Sequence, residues 1–412
     1  MEKDKVKKIV SMEIKPQLDS AAGIDLHQEK LSCCFFVKDK LFEVKDYGTF
    51  TEDLQLLKDD CLRHKIPEVI MESTGVYWIP LCAILTDAGI KVHVVNGKFV
   101  KNMPKEKTDK KDAKWLCKLL VNGQIRDSFI APVEQQAFRD LCRNRKKYTN
   151  HITQTRNRMS KVLDRRNIKL ANVMSNLHTK TAVSIIKALS QGETDIEKLV
   201  SLACGKLKFK KDELRKALQS VLTPHDRNML KMYLNDIAHF EQNIAMIEEE
   251  IKKHVDRVNP QLVKNLDAIA GVGKESVEIV LAEIGDNVDA WENADKLAAW
   301  TGTAPGNNET ANKQKNAGRR SGNKFLLTSL VQIAWAAVRT KNSYWQALYW
   351  HLRKRLIEQK AIIVIARKLI KIIYKVIKGT MTYKDYGREY FLVHLQEKLE
   401  QKRNHSIIVK SL

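Results

Sequence analysis

The sequence predicts an α/β domain followed by a largely helical region. Between residues 21 and 142, short apolar stretches with strand periodicity alternate with amphipathic stretches of helical period. After Pro132 the strand pattern stops, and helical patterns interrupted by polar loops follow. The 72 Lys and Arg exceed the 49 Asp and Glu by 23 charges, so a nucleic acid is the expected partner, because each neutralised phosphate releases counterions.

The elements of the α/β part follow the order β-β-β-α-β-α-β-α. Three strand-like segments joined by short turns should be antiparallel neighbours: AAGIDLH, LSCCFFVKD and KLFEVKDYG. The later strands PEVIMES and KVHVVN each follow a helix and should join the sheet in parallel, and the helix TDKKDAKWLCKLLVNG completes the order. This mixed sheet is typical of a ribonuclease-H-like domain, predicted for residues 21–142 after a basic arm of residues 1–20.

Residues 143–258 are predicted to combine a basic helix with a coiled coil. Residues 143–169 carry ten Lys or Arg against one acid. Four arginines of this helix are predicted to contact nucleic acid: Arg143, Arg145, Arg156 and Arg158. Four apolar residues recur at every seventh position: Leu230, Ile237, Ile244 and Ile251. This spacing favours a coiled coil within the chain or between subunits, and a helix packed into its own domain is the alternative.

Residues 259–345 are predicted to form a second helical domain, followed by a basic helical tail over residues 346–412. The stretch AGVGK resembles the turn of a helix-hairpin-helix, in which Gly271 and Gly273 would let backbone amides approach a phosphate and Lys274 would add charge. A glycine-capped helix turn is the alternative.

A polar loop over residues 303–324 interrupts the helices of this second domain. A loop of this length in a compact domain is usually functional or disordered. Its basic residues are expected to hold a phosphate, with a solvated loop face as the alternative: Lys313, Lys315, Arg319, Arg320 and Lys324.

Cysteine spacing and apolar runs bear on the compartment. The seven cysteines never form C-x-x-C, which predicts reduced thiols and neither disulfides nor a zinc site. The N-terminus lacks an apolar core of signal-peptide length. The apolar run of residues 361–379 contains five Lys or Arg, which favours a basic amphipathic helix over a membrane span. We therefore expect a cytoplasmic, nucleoid-associated protein without a membrane partner.

Four acids lie where the predicted sheet could bring them together. Asp25 interrupts the apolar first strand, Glu72 ends the fourth strand, and Asp109 and Asp112 share one face of the following helix. Without a cation these charges would repel one another. Two Mg²⁺ ions about 4 Å apart could use such oxygen ligands to stabilise the attacking and leaving oxygens of phosphoryl transfer. The pattern therefore predicts a site for two Mg²⁺ ions.

Six longer motifs follow one another in a specific order along nearly the whole chain after residue 20. They are GIDLH, MESTG, TDKKDA, LDAIAGVGKESVEIVLAEIGD, LAAWTGTAPGNNET and GRRSGNKFLLTSLVQIAWAA. This combination resembles the DEDD transposases of the IS110 insertion sequences, more closely their IS1111 branch. The resemblance implies a RuvC-like domain that binds Mg²⁺ through Asp25, Glu72, Asp109 and Asp112. It also implies a C-terminal serine nucleophile and a noncoding guide RNA that pairs with donor and target DNA.

The chain departs from that family at the nucleophile. Where the family's loop reads PGNNES, this sequence reads PGNNET, so Thr310 replaces the serine. Its β-methyl group restricts the rotamer and crowds in-line attack. We predict that Thr310 attacks a phosphodiester activated by the metals and forms a transient protein–DNA ester. A slow nucleophile and a relic are the alternatives, and Ser321 is the next candidate. Since recombination joins two duplexes, at least two such sites are needed, and the family resemblance implies a dimer or tetramer.

Two other functions are compatible with these residues. A RuvC-like, structure-selective nuclease would cut branched DNA by water attack, with Thr310 merely structural. A catalytically impaired relative of a transposase would only bind DNA or RNA. The presence of all four acids favours the transposase, a site-specific recombinase, whereas the threonine weighs against it.

Overall fold

The computed structural model divides the chain into two compact units, one ending at Ile130 and one beginning at Ala131. The predicted boundary at residue 142 falls inside a continuous helix, and the helical parts predicted from residue 143 onward belong to one unit. The residues that the structure describes are 18–38, 40–41, 44–73, 75–97, 109–125, 127–174, 176–306, 309–310, 313–314, 321–393, 395–397 and 400. Most of the predicted basic arm lies outside them.

The N-terminal unit contains a mixed sheet, as the sequence predicts. Its described strands are β1 (Ser20–Leu26), β2 (Leu31–Val37), β3 (Lys40–Leu41), β4 (Lys45–Tyr47), β5 (Glu68–Glu72) and β6 (Lys91–Val95). The order is β3-β2-β1-β5-β6, and β4 also pairs with β2. β2 is antiparallel to β1, whereas β5 is parallel to β1 and β6 is parallel to β5. The predicted third strand is two short strands, both paired with β2.

Three of the helices that the structure describes cover the two faces of this sheet: α1 (Thr51–Arg63), α2 (Trp78–Asp87) and α3 (Asp109–Val121). Ile24 and Met71 pack in one core with α1 and α2, whereas Ala21 and Ile70 pack in a second core with α3. Four of the seven cysteines lie in these two cores, and all seven are free thiols. The order and layering fit a ribonuclease-H-like domain.

The described helices of the C-terminal unit begin with a long basic helix. They are α4 (Val133–Arg165), α5 (Leu170–Val173), α6 (Lys180–Gln191), α7 (Ile196–Ser201), α8 (Lys211–Ala217), α9 (Pro224–Asp256), α10 (Pro260–Asp267), α11 (Lys274–Ile284), α12 (Ala294–Trp300), α13 (Lys324–Arg339), α14 (Tyr344–Arg353) and α15 (Glu358–Ile377). A short 3₁₀ helix, Gly205–Lys210, precedes α8.

The helix with the heptad pattern, α9, packs antiparallel to α4. Phe138 near the start of α4 stacks on His254 near the end of α9, with ring centroids 5.1 Å apart. At the other end, Arg166 donates to the buried Asp226 over 2.6 Å. Of the heptad residues, the outer two are buried and the inner two are half-buried. The seam thus packs within its own unit, and its middle remains partly accessible.

Helix α15 contains most of the apolar run of residues 361–379, the stretch of the sequence that most resembles a membrane span. Ten of its twenty residues are buried, among them Ile365, Leu369 and Ile373. It packs against α13 and α12 in the core of the C-terminal unit. Within the part of the chain that the structure describes, no helix is both long and apolar enough to cross a membrane.

Candidate active site and nucleic-acid surfaces

Asp25 is a nearly buried carboxylate on the central strand of the N-terminal sheet. It follows Ile24 in β1, and its residue is 8% exposed. The Nε2 atom of His27 lies 3.3 Å from its Oδ2 atom, and the imidazole is half-exposed. A carboxylate withdrawn from water in this way is costly unless a cation or a hydrogen-bond donor compensates its charge. The position therefore suits a carboxylate that binds a cation.

Glu72 lies beside Asp25 at the same end of the neighbouring strand. β1 and β5 are parallel, with Ile24 opposite Met71, so the next residue on each strand is an acid. Side chains alternate between the faces of a sheet. Since Ile24 and Met71 pack in the core with α1 and α2, Asp25 and Glu72 belong to the opposite face, the one that α3 covers.

Helix α3 lies directly on β1. A Cβ atom at Gly23 would be 2.4 Å from the carbonyl oxygen of Ala113 and 2.3 Å from the amide nitrogen of Cys117. The thiol of Cys117 also lies 3.7 Å from the carbonyl oxygen of Ala21. The helix therefore runs back along β1, and one turn of about 5.4 Å matches nearly two strand residues. Its first turn, which contains Asp109 and the half-buried Asp112, is thus level with Asp25.

Gly97 shapes the site and was missed by the sequence analysis. The carboxylate of Glu72 occupies the space beside it, because a Cβ atom at Gly97 would lie 1.9 Å from the Oε1 atom of Glu72. Gly97 comes two residues after β6, whose last residue, Val95, pairs with Glu72. The signal in the sequence was a glycine just beyond a strand, a position where another group often approaches the backbone too closely for a side chain.

The donor set fits a hard divalent cation. Asp25, Glu72 and Asp112 supply carboxylate oxygens, the ligands that Mg²⁺ prefers. The side chain of Asp109 lies outside the described residues. Among the side chains that are described, no group of three or more His, Cys, Asp or Glu is close enough together to form a metal site. The register of β1 and β5 and the position of α3 nevertheless bring the three acids to one end of the sheet.

The loop that carries Thr310 is closed at its base. A Cβ atom at Gly322 would lie 2.3 Å from the amide nitrogen of Gly302, and the amide of Asn323 donates to the carbonyl oxygen of Trp300 over 3.1 Å. The chain thus leaves and re-enters the helical core at one point. Within the loop, Glu309–Thr310 (β7) pairs with Lys313–Gln314 (β8), a hairpin that the sequence analysis did not predict.

A buried charge network fixes the end of this loop. Glu283 is 1% exposed, and its carboxylate accepts two hydrogen bonds from Arg143, of 2.8 and 2.9 Å. Asn323 donates to the same carboxylate over 2.6 Å. Burial disfavours the charged guanidinium, but these bonds to Glu283 outweigh it and raise the pKa of Arg143. The signal in the sequence was an acid within the apolar stretch VEIVLAEIG.

The predicted nucleic-acid residues on α4 have two different environments. Arg143 is committed to Glu283, and Arg145 is 7% exposed and pairs with the buried Glu278. Farther along the helix, Arg156 lies 3.3 Å from Glu241, and Arg158 is exposed. The second half of α4 thus offers more accessible charge than the first.

The two glycines of the AGVGK turn also differ in accessibility, because one is packed against another helix and the other is not. Gly271 has a φ of +79°, and a Cβ atom there would lie 2.3 Å from the carbonyl oxygen of Ile333 in α13. Packing therefore accounts for a glycine at this position. Gly273 precedes α11, no heavy atom of the described residues lies near its missing side chain, and Lys274 is exposed beside it. Lys324, at the start of α13, is also exposed. The remaining predicted contacts, Lys313, Lys315, Arg319 and Arg320, have side chains outside the described residues.

Two family models and one relative match parts of this chain. The family model of the DEDD transposases of IS110 matches residues 22–168, and that of the transposase IS116/IS110/IS902 family matches residues 263–350. A transposase for insertion sequence element IS1533 from Leptospira borgpetersenii is 29% identical over 153 residues. That alignment covers 36% of this chain and 44% of the relative, so less than half of either protein is compared. The two matched segments contain the four acids and Thr310, and the chain belongs to the IS110 family of DEDD transposases.

Proposed function

We propose that this chain is a Mg²⁺-dependent DNA transposase that cuts and rejoins DNA. The observation that carries the proposal is the register of the central strands, which puts Asp25 and Glu72 side by side on the face covered by α3. Asp112 belongs to the helix on that face, within the segment that matches the family model. A lone acid in a strand has many explanations, whereas the placement of three acids at one end of a sheet supports the proposal that they bind a cation.

Asp25, Glu72, Asp109 and Asp112 would hold two Mg²⁺ ions. When bound, these ions would supply charge that stabilises the attacking and leaving oxygens of phosphoryl transfer. The chain's own residues orient the ligands. His27 lies 3.3 Å from the carboxylate of Asp25, and the missing side chain of Gly97 leaves room for the carboxylate of Glu72.

Thr310 is the proposed nucleophile. Its hydroxyl oxygen forms a bond to the phosphorus while the bond from the phosphorus to one strand's oxygen breaks. The hydroxyl proton passes to solvent, and the leaving oxygen takes up a proton to become a free hydroxyl. The hydroxyl of a second strand then attacks the threonyl phosphodiester, which joins the strands and restores Thr310. The closed base of the loop supports this role, because it restricts where the hairpin of Glu309–Gln314 can move.

The partners we propose are donor and target DNA, a noncoding guide RNA, and further copies of this chain as a dimer or tetramer. The net charge of +23 supports binding to polyanions. The guide RNA rests on the resemblance to the IS1111 branch. The half-buried middle of the α9 seam, with Ile237 and Ile244, supports contact between copies.

The proposal is tested by trapping the protein–DNA ester. The purified chain would be incubated with Mg²⁺, end-labelled junction DNA and RNA transcribed from the DNA that flanks its gene, then analysed on a denaturing gel. We expect a protease-sensitive, slowly migrating band that disappears in Asp25→Asn and Thr310→Ala and persists in Thr310→Ser. Ser321→Ala tests the next candidate nucleophile in the same loop and should keep the band. Asp87→Asn changes an exposed acid of the N-terminal unit and is the matched control for Asp25→Asn.

The same gel distinguishes the two rival functions. Free cut ends without an adduct, lost in Asp25→Asn but retained in Thr310→Ala, would establish a nuclease that uses water. Retention of labelled DNA on a native gel, with neither cut ends nor an adduct in any lane, would establish a binding protein. Either result would contradict a threonine nucleophile.

A further inference from the structure

A pocket in the C-terminal unit brings aromatic rings and lysines together. It has a volume of about 330 Å³ and lies between α14, α15 and the segment of residues 381–390. Five of its lining residues are aromatic: Tyr344, Trp345, Tyr383, Tyr386 and Tyr390. Four of the ten tyrosines of the protein therefore line one pocket.

The inner aromatic residues form a fixed frame. Trp345 is 2% exposed, and its Nε1 atom donates to the hydroxyl oxygen of Tyr383 over 2.8 Å. The ring of Tyr344 meets that of Trp345 edge-on, with centroids 5.4 Å apart. Buried aromatic residues held by both packing and a hydrogen bond lose little further freedom when a ligand binds.

Two outer tyrosines offer ring surface to a ligand. Tyr386 and Tyr390 stack on one another with centroids 4.8 Å apart and an angle of 28° between the rings. They are nevertheless 57% and 41% exposed. Aromatic surface exposed to water costs free energy. Part of that free energy is recovered when another ring stacks on the surface.

The charge of the lining is positive. Three lysines line the pocket. Lys371 pairs with Asp295 over 2.6 Å, and Lys384 lies with its Nζ atom 5.7 Å from the centroid of the Tyr386 ring. Among the lining residues, all of which the structure describes, Asp385 is the single acid. Its Oδ1 atom accepts hydrogen bonds from the amides of Tyr344, at 3.2 Å, and Gly387, at 2.8 Å. Its charge therefore stabilises the start of α14.

We infer that this pocket binds unpaired nucleotides of a single-stranded nucleic acid. An exposed base would stack on Tyr386 or Tyr390, and the adjacent phosphate would be neutralised by Lys384. An acidic peptide would use the lysines but not the rings, and a neutral apolar ligand would use the rings but not the lysines. The bases of a duplex are already stacked on one another, so a duplex offers no free base to the tyrosines. Single-stranded RNA and DNA share the required chemistry.

The inference rests on the proposed function only in that the ligand is a nucleic acid, and its test needs no strand cutting. Oligonucleotides of one sequence, as RNA and as DNA, would carry 5-iodouracil, which crosslinks under light to a stacked aromatic side chain. After irradiation with the full chain, the crosslinked peptides would be identified by mass spectrometry. We expect crosslinks at Tyr386 or Tyr390, competed at least tenfold better by unlabelled single strands than by the matching duplex.

Variants locate the effect and separate it from catalysis. Tyr386→Ala should weaken crosslinking at this segment about tenfold, in the range measured for loss of one stacked base. Tyr386→Phe, which keeps the ring, should retain it. Phe50→Ala removes an 81% exposed aromatic side chain from the other unit and is the matched control. Asp25→Asn should abolish strand cutting and leave the crosslink intact, so that the two proposals can fail separately.

Comparison of the RNA and DNA oligonucleotides identifies which nucleic acid the pocket binds. A preference for RNA would assign the pocket to the guide, and a preference for DNA would assign it to a displaced strand. The inference would be overturned if no crosslink falls within residues 381–390, or if the duplex competes as well as the single strand.

Discussion

The two candidate reactive regions are held in place by different forces. At the sheet edge of the N-terminal unit, position is set by close backbone approach, with α3 lying on Gly23 and the carboxylate of Glu72 filling the space beside Gly97. At the base of the Thr310 loop, a backbone contact at Gly322 is combined with the buried charge of Glu283. The first region should therefore be sensitive to an added methyl group, and the second to the removal of a charge.

The largest effect is expected from Gly23→Ala. The new methyl group would fall within 2.4 Å of two backbone atoms of α3, which cannot rotate away as a side chain could. We expect a loss of about 3 kcal/mol in the free energy of unfolding, at the upper end of the range for overpacking. Urea unfolding followed by circular dichroism would measure it.

Gly273→Ala is the matched control for this change. Among the residues that the structure describes, no heavy atom lies within 4 Å of the position that its methyl group would take. The free energy of unfolding should therefore fall by no more than about 1 kcal/mol, the cost of alanine in place of glycine at the N-cap of α11. Equal losses in the two variants would show that steric contact with α3 does not position the first region.

The second effect concerns charge at the loop base. Glu283→Gln would leave Arg143 and Asn323 without their buried anionic partner. Removing one member of a buried ion pair costs about 3–5 kcal/mol, but the Arg143 side chain is 32% exposed, so we expect about 2 kcal/mol. Unfolding in urea would measure it. Glu292→Gln, in an exposed pair with Lys296, should cost less than about 0.5 kcal/mol, and a similar cost for both would contradict the assigned role.

A smaller effect depends on pH and tests whether the sheet domain also uses buried charge. His93 is buried and contacts Asp127 at 2.9 Å and Glu68 at 2.8 Å. Burial disfavours the imidazolium, but the two carboxylates outweigh it and raise the pKa of His93 above its usual value. The stabilisation is therefore fully present below about pH 6.5 and is lost as the pH rises through the pKa of the folded state.

Unfolding of the wild type and of His93→Gln between pH 5.5 and 9 would measure this contribution. We expect the wild type to exceed the variant by about 1 kcal/mol at the acidic end, with the difference shrinking toward pH 9. A difference that grows with pH would mean that the histidine is held neutral.

The smallest effect on stability is expected from Gly97→Ala, which separates folding from function. Its methyl group would displace the end of a flexible side chain, the carboxylate of Glu72. The free energy of unfolding should fall by less than about 1 kcal/mol, while the affinity for Mn²⁺ should fall about tenfold, as for other changes that misorient a ligand. Isothermal titration with Mn²⁺ would measure the affinity, and unchanged binding would argue against Glu72 as a ligand.

Local patterns in the sequence were sufficient for most of the described helices and strands and for two of the acids. Alternation of apolar residues predicts β1 and β5, and an acid within or at the end of such a strand draws attention to Asp25 and Glu72. The change to helical periodicity after Pro132 predicts α4, although its first turns precede the predicted boundary. These features depend on neighbours close in sequence.

The remaining features depend on contacts between distant residues. Glu283 and Arg143 are separated by 140 positions, and no local period indicates that the arginine is engaged within the fold. Gly97 and Gly322 matter because of what lies beside them in space. The hairpin at Thr310 lies in a polar loop without the apolar alternation that predicts a strand.

The central claim is that the carboxylates at the end of the sheet bind divalent cations for DNA cutting. The most direct test is a Mn²⁺ titration followed by electron paramagnetic resonance, with Mn²⁺ as the paramagnetic substitute for Mg²⁺. The account predicts saturable binding that weakens at least tenfold in Asp25→Asn and is unchanged in Asp87→Asn. Equal binding by the wild type and Asp25→Asn, with circular dichroism showing both to be folded, would contradict it.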